Sequence, residues 1–373
     1  MKIDLQAVDR DQFYVNEHVL NGELVYLVIP QQIGAKWTRT NKVQRSSVWD
    51  SNGELISAGL PKFTNWGENP EVFPLPTSLD GTTIVEKLDG SLLVVSKWKG
   101  HYILRTRGTI DAHGLDNGHE LAIFEETILP KLKGLYQDVP EHDTWRHSYL
   151  FEWTSPLQKI VLNYGDTPEW SLVGIVDHND YSLEGQGFLD KLAQQLGLKR
   201  PVTYKFPTFD ELLANVDQWV GKEGVCIYHN NGQSIHKVKS AWYLALHHMK
   251  SELSSFDKVI DVWTNFGKPG YTEFYEKVST QFDHELANQI QGDMSRICDA
   301  YKEVNEIVKG FNGFIVEVLK LGDPKDKKAR GQMAAKVFGA YGNTNRATFL
   351  FKLLDGKQLD DDAIKKLIYQ VLK

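Results

Sequence analysis

Apolar positions follow two different periods along this chain. Up to about residue 240 they come in short runs that alternate with polar residues and are cut by turn signals, the pattern of β-strands. "LVYLVIP" (24–30) ends at a strand-stopping proline, and "SSVWDSNGELISAG" (46–59) carries Asn52-Gly53 between two extended runs, a hairpin signature. A second hairpin is expected over 92–108, turning at Lys99-Gly100, and a third over 223–240 with Asn230-Asn231-Gly232 at its tip. Further strands are expected at 149–155, 159–164 and 170–177, and helices at 117–136 and 189–198. After Lys239 the spacing becomes three and four, predicting helices over 240–263, 283–320, 347–354 and 360–373. The fold class is therefore α+β: mostly antiparallel sheets flanked by helices in residues 1–245, then an all-α domain in 246–373.

Composition narrows the function classes. The 373 residues are 41% hydrophobic and 24% charged, ordinary for a globular protein with a sizeable core. Two distant cysteines, Cys226 and Cys298, form no Cys-x-x-Cys pair, which argues against a zinc ribbon and fits a reducing compartment. The first residues, MKIDLQAVDRDQF, lack the apolar stretch of a signal peptide, and no run nears the ~20 apolar residues of a spanning helix. A cytoplasmic monomer with no membrane partner is expected, in the host cytoplasm if the source is a virus. Net charge is −7, yet residues 315–352 hold 8 basic and 3 acidic residues. Lys325, Lys327, Lys328 and Arg330 lie at the centre of that stretch, either as a phosphate-contacting patch or as a solvated loop and helix start.

The candidate chemistry centres on "TIVEKLDGSLLVV" (83–95), where a charged knot interrupts two β-rich runs. Leu88-Asp89-Gly90-Ser91 has hairpin-turn chemistry, which would leave Lys87 a solvated strand-end lysine. Alternatively Lys87 is a nucleophile. A lysine attacks only when neutral, so burial and nearby cations should lower its pKa. A site built for attack on a phosphoryl group should hold further cations, and carboxylates for a metal and for ribose hydroxyls. Arg45, Lys62, Arg107, Glu152, Glu223, Lys237 and Lys239 supply these groups near strand ends, and Lys237 and Lys239 share one strand face.

Taken in order, Lys87-Leu88-Asp89-Gly90-Ser91, Phe151-Glu152-Trp153, Glu223-Gly224-Val225 and Lys237-Val238-Lys239 resemble the motif series of covalent nucleotidyltransferases, the ATP-dependent ligases and mRNA capping enzymes. Within that superfamily the chain most resembles the phage RNA ligase 1 family of tRNA-repair ligases. "LPKFTNWGENP" (60–70), "RTRGTI" (105–110), "QKIVLNY" (158–164) and "KVKSAWYLALH" (237–247) carry this, from about Arg45 to His248. Two departures stand out. Arg107 occupies a lysine position of the family, exchanging a point charge for a planar fork, and Thr64 stands where the family has a second aromatic after Phe63.

The resemblance implies that Lys87 attacks the α-phosphate of ATP, that AMP passes to an RNA 5′-phosphate, and that a 3′-hydroxyl then displaces AMP. It places Lys237 and Lys239 at the α-phosphate, Arg45, Lys62 and Arg107 at the outer phosphates, and Glu152 at the ribose. Glu86, Asp89 and Gly90 complete the ATP site, and Glu223 holds Mg²⁺, with Mn²⁺ as the alternative. Tyr243 matches an aromatic linked to RNA sealing, or is a core aromatic. Phe151 either stacks on adenine or is a buried strand residue. The implied partner is RNA with 5′-phosphate and 3′-hydroxyl ends, a nicked tRNA in the first instance. Three other readings carry weight, though the helical pattern of 245–373 argues against the first and intact Lys87, Glu152, Glu223, Lys237 and Lys239 against the third. A DNA ligase or capping enzyme would need a five-stranded barrel after Lys239; an RNA ligase of another branch would act on different ends; a decayed scaffold would bind RNA without catalysis. His247-His248 is read as helix surface.

Overall fold

The computed structural model describes residues 1–31, 35–136, 143–253, 255–281, 287–288, 290–342 and 344–372, without the side chains of 248–252, 281 and 345. The chain divides into two compact units, Met1–Ala245 and Leu246–Lys373.

Three sheets build the first unit. β1 (Phe13–Leu20), β2 (Glu23–Pro30), β3 (Ser47–Asp50) and β4 (Leu55–Ala58) form an antiparallel meander, with Asn52 and Gly53 in its last turn. A second antiparallel sheet has the order β10 (Glu169–Asp177), β9 (His147–Thr154), β7 (Ser91–Trp98), β8 (His101–Arg105). The third runs β11 (Thr203–Tyr204), β6 (Thr83–Lys87), β12 (Gly224–His229), β13 (Ser234–Lys239), β5 (Thr64–Asn65), and only its β13–β5 pair is parallel.

Strand parity sorts the side chains into layers. On β9, Phe151 points into a cluster with Phe124, Leu132 and Leu189 beneath the covering helices, whereas Leu150 faces the other way. Ile84, Val225 and Ile227 pack against helix Phe209–Asp217, whereas Val85, Cys226, Tyr228 and Ile235 join Leu150 and Val94 in a central cluster. The second and third sheets thus face each other across that cluster, and residues two further along each strand emerge at its rim.

Several sequence expectations need correction. β6 and β7 belong to different sheets, so Leu88–Ser91 is a crossing between sheets and no hairpin. Residues 159–164 are irregular, because the N–H groups of Val161 and Leu162 point at the Asp89 carboxylate (2.7 and 2.9 Å) instead of at a neighbouring strand. The helix expected over 117–136 is broken into Leu121–Thr127 and Leu129–Gly134, with Pro130 in the first turn of the second piece, where a missing N–H is tolerated. The stretch 240–263 is likewise two helices, Ala241–Glu252 and Phe256–Asn265, the second capped by the Ser255 hydroxyl.

The second unit is helical, and no strand occurs among its described residues. The long helix Gln291–Leu319 buries Met294, Ile297, Val304, Phe311 and Val318, a stripe at helical spacing that packs with Trp263, Phe274, Met333, Leu350 and Leu367. Part of the stretch expected to begin this helix, residues 283–286 and 289, lies outside the described residues. No helix among the described residues is long and apolar enough to cross a membrane.

Candidate active site

The alternation that buries Val85, Leu150 and Ile235 brings Lys87, Glu152, Lys237 and Lys239 to one rim. Register does the rest. Gly224 is the Cα partner of Lys87 on one side and of Lys239 on the other, so the two lysines flank the start of β12. Glu223, the residue before it, is 2% exposed and joins them: Lys87 Nζ donates to Oε2 at 2.8 Å and Lys239 Nζ lies 2.9 Å from Oε1. Gly224 has φ +147°, and a Cβ there would fall 2.0 Å from the Val238 carbonyl oxygen, so only glycine lets β12 and β13 close at this point.

The crossing from Lys87 to Ser91 is held by a carboxylate for which the sequence alone suggests no partners. Asp89 is buried, and its Oδ2 accepts the N–H groups of Val161 and Leu162 while Oδ1 accepts the Tyr243 hydroxyl at 2.7 Å. The Asp89 N–H donates to Tyr164 Oη at 2.8 Å, and the Gly90 N–H to Glu152 Oε1 at 3.1 Å. Gly90 lies so close to β9 that a Cβ would sit 2.5 Å from the Trp153 carbonyl oxygen. Tyr243 is therefore a core aromatic, 2% exposed, with Lys239 Nζ 4.7 Å from its ring centroid. Phe151 is buried edge-to-face against Phe124 on the far side of β9.

A mostly apolar pocket opens beside Lys87, lined in part by Leu60, Phe63, Val85, Glu86, Val173 and Tyr228. Glu86 is fixed there by the Tyr204 hydroxyl (2.7 Å), with Lys222 Nζ 3.6 Å away. A separate open cleft of about 310 Å³ gathers Arg45, Lys62 and Arg107. Its cations rest on aromatic faces: the Arg45 guanidinium over Phe63 at 4.8 Å and Lys62 Nζ over Trp37 at 5.2 Å, with Lys237 Nζ 5.7 Å from Phe63.

Crowding of like charge shows in the titration behaviour. Burial, then Lys239, Lys87, Lys62 and Arg45, lower Lys237 to about 8, and burial with Arg107 lowers Arg45 to about 10. Lys87 behaves differently from expectation. Burial opposes its charge, but Glu223 and Glu152 outweigh burial and hold it above the ordinary lysine value. In the free protein Lys87 is a held ammonium. Burial pushes Glu152 up to about 7, against the pull of Lys87.

The basic stretch of the helical unit stands as its own group. Lys325, Lys327 and Lys328 are exposed, the last two in the first turn of helix Lys327–Tyr341, where the helix dipole disfavours cations. Arg330 turns inward, pairing with Asp355 (2.7 Å) 5.4 Å from the Phe351 ring centroid, which makes it part of that unit's packing. His247 is exposed, the side chain of His248 lies outside the described residues, and no metal-holding group of three or more His, Cys, Asp or Glu occurs among the described residues. Tyr164, Tyr204, Lys222 and Trp37 are contributors that sequence reasoning missed. Tyr164 lies inside the stretch "QKIVLNY", and reading that stretch as a strand concealed its role.

A family model described as RNA ligase, that of the phage RNA ligase 1 family, matches residues 40–252, more than half of the chain. The chain belongs to that family. The match takes in the residues described around Lys87 except Trp37, and ends with the first helix beyond Lys239. A protein of Autographa californica nuclear polyhedrosis virus, named for polynucleotide kinase and RNA ligase activities, is 26% identical over 223 residues, 57% of this chain and 31% of that protein. The chain thus spans about a third of the length of the curated relative it matches. Solved structures of a Naegleria gruberi RNA ligase are also similar. One with ATP and Mn is 18% identical over 45% of this chain and 51% of that chain (TM-score 0.36), and an apo mutant is 14% identical over 67% and 84% (TM-score 0.41).

Glu152 makes the free site pH-sensitive. Its folded pKa near 7 exceeds the ordinary value of 4.5, so the folded protein binds a proton that the unfolded chain releases between those values. The stability this contributes is complete below pH 4.5 and is lost as pH rises through 7. Chemical denaturation between about pH 4.5 and 7.5 should show Glu152→Gln losing less stability with rising pH than wild type. Parallel curves would mean that Glu152 ionises as an ordinary exposed acid.

Proposed function

We propose that the protein is an ATP-dependent RNA ligase that works through a Lys87–AMP intermediate. The observation that carries this reading is the placement of Lys87: at the end of β6, against the shared carboxylate of Glu223, lining an apolar pocket whose Phe63 wall lies under Arg45 of the cation-lined cleft. Membership of the RNA ligase family agrees with it. The adenine enters the pocket beside Phe63 and Glu86, the ribose meets Glu152, and the triphosphate runs toward Lys237, Lys239, Arg45, Lys62 and Arg107.

The held ammonium must lose a proton before it can attack, and Glu223 Oε2 at 2.8 Å is the adjacent acceptor. The Nζ lone pair then forms the bond to the α-phosphorus while the bond to pyrophosphate breaks. Lys237 and Lys239 stabilise the charge that builds on the α-phosphate oxygens. The buried Glu223 and the half-buried Glu152 would hold a Mg²⁺ or Mn²⁺ beside the phosphates, and no group of three or more metal-ligating side chains occurs among the described residues. Such a metal supplies charge neutralisation at the phosphates when bound. AMP next passes from Lys87 to an RNA 5′-phosphate, and a 3′-hydroxyl displaces it to seal the strand.

Tyr243 serves sealing in this scheme through Asp89, since its ring is buried and its hydroxyl bonds the crossing that carries Lys87. Residues 1–245 act as the adenylyltransferase domain and 246–373 as an RNA-specificity domain, with a nicked tRNA as substrate and Lys325, Lys327 and Lys328 at its phosphates. Two buried free cysteines suit the reducing cytoplasm, as a monomer.

Incubation with ATP labelled at the α-phosphate, followed by a denaturing gel, tests the reading. Wild type should carry an acid-labile AMP adduct, and Lys87→Ala and Lys87→Arg should carry none, because arginine stays protonated. Full labelling of either variant would remove Lys87 as nucleophile. For the second unit, Lys325, Lys327 and Lys328 all replaced by alanine should flatten the log–log salt dependence of RNA binding by about 0.7–0.9 for each phosphate that is no longer neutralised. An unchanged slope would return these lysines to a solvated surface.

A further inference from the structure

Two cations of the cleft, Arg45 and Arg107, are mounted on a buried guanidinium to which the sequence motifs gave no role. Arg105, the last residue of β8, is fully buried, and all five of its donors are used. Nε donates to Ser57 Oγ (2.8 Å), Nη1 to Ser46 Oγ (2.8 Å) and the Thr106 carbonyl (3.0 Å), and Nη2 to the carbonyls of Ser46 and Ser57 (both 3.1 Å). Every acceptor is neutral. A buried cation without a counter-ion is unfavourable unless its hydrogen bonds are complete, and here burial lowers its pKa only to about 10, so the charge persists at neutral pH.

What the fork holds is specific. Ser46 follows Arg45, and Thr106 precedes Arg107. Ser46 Oγ also donates to the Arg107 carbonyl at 3.0 Å, which closes a ring of bonds between the two cleft segments. On the opposite side Ser57 Oγ accepts from Ser96 Oγ, which is bonded to Ser148 Oγ and through it to His178 Nε2, each at 2.8 Å. The guanidinium is therefore anchored through β4, β7 and β9 while it grips the backbone beside both arginines.

We infer that Arg105 is a positioning residue: its planar fork sets the spacing of Arg45 and Arg107 so that both meet the outer phosphates of the nucleotide. The inference rests on the ATP-dependent reading above. Lysine keeps the charge but lacks the fork geometry and cannot serve five acceptors at fixed angles.

Two reactions separate positioning from scaffolding. Adenylylation of Lys87 requires the outer phosphates of ATP, whereas sealing of a chemically pre-adenylylated RNA does not. Arg105→Lys should raise the KM for ATP by about tenfold with a smaller change in kcat, and leave sealing of the pre-adenylylated strand within about twofold of wild type. Ser46→Ala, which removes one acceptor of Arg105 and the link to Arg107, should shift the ATP dependence in the same direction, and carries the test if Arg105→Lys does not fold. Equal losses in both reactions, or an unchanged KM for ATP in a folded variant, would overturn the inference. A wild type that forms no AMP adduct would instead overturn the nucleotidyl-transfer reading beneath it.

Discussion

The site depends on one buried carboxylate shared by two ammonium groups. Glu223 is almost fully enclosed and takes Lys87 on one oxygen and Lys239 on the other. Removing one partner of such an enclosed pair typically costs about 3–5 kcal/mol, because a charge is left buried and unpaired. Here the loss would fall on a site already crowded with like charge. Burial lowers Lys237, Arg45 and Lys62, and neighbouring cations add to it: Lys239, Lys87, Lys62 and Arg45 act on Lys237, Arg45 and Arg107 on Lys62, and Arg107 on Arg45. The free protein therefore stores positive potential that a polyphosphate would satisfy, and Glu223 offsets part of the charge that Lys87 and Lys239 bring to it.

That arrangement is a consequence of how two sheets meet. Lys87 ends a strand of one sheet and Ser91 starts a strand of another, so the crossing between them must be short and rigid. Gly90 permits its contact with β9, and the bonds of Asp89 to Val161, Leu162 and Tyr243 fix its direction. Arg105 holds the other wall by the same means, with complete hydrogen bonding of a buried charge. In both places a buried charged group organises irregular backbone that apolar packing alone would leave underdetermined.

Much of this was legible in the sequence because strand parity is a local property. The alternation around Val85-Lys87, Leu150-Glu152 and Ile235-Lys237-Lys239 puts the charged members of each run on one face before any tertiary contact is known. The helical period after Lys239 and the turn chemistry at Asn52-Gly53 and Asn230-Asn231-Gly232 are equally local. What sequence could not supply was set by partners far along the chain. The apolar run 159–164 looks like a strand, but its N–H groups are drawn to Asp89, more than seventy residues earlier. Asp89-Gly90 has hairpin chemistry, but β7 pairs with β8 and β9 and leaves β6 to β12. Lys87 was expected to have a lowered pKa from its cations, and Glu223, more than a hundred residues away, reverses the sign. Arg105 opens the stretch "RTRGTI", but nothing local marks it as the buried member, because four of its five acceptors are set by tertiary contacts with Ser46 and Ser57.

Glu223 must therefore govern the ionisation of Lys87 if the site works as described. Lysine side-chain NMR across an alkaline titration, with the Lys87 signal assigned by its loss in Lys87→Arg, measures this directly. Lys87 should titrate above an ordinary lysine in the free protein. In Glu223→Gln it should fall, since burial would then be opposed chiefly by Glu152. A Lys87 that titrates below the ordinary value in wild type, or that is indifferent to Glu223→Gln, would contradict this.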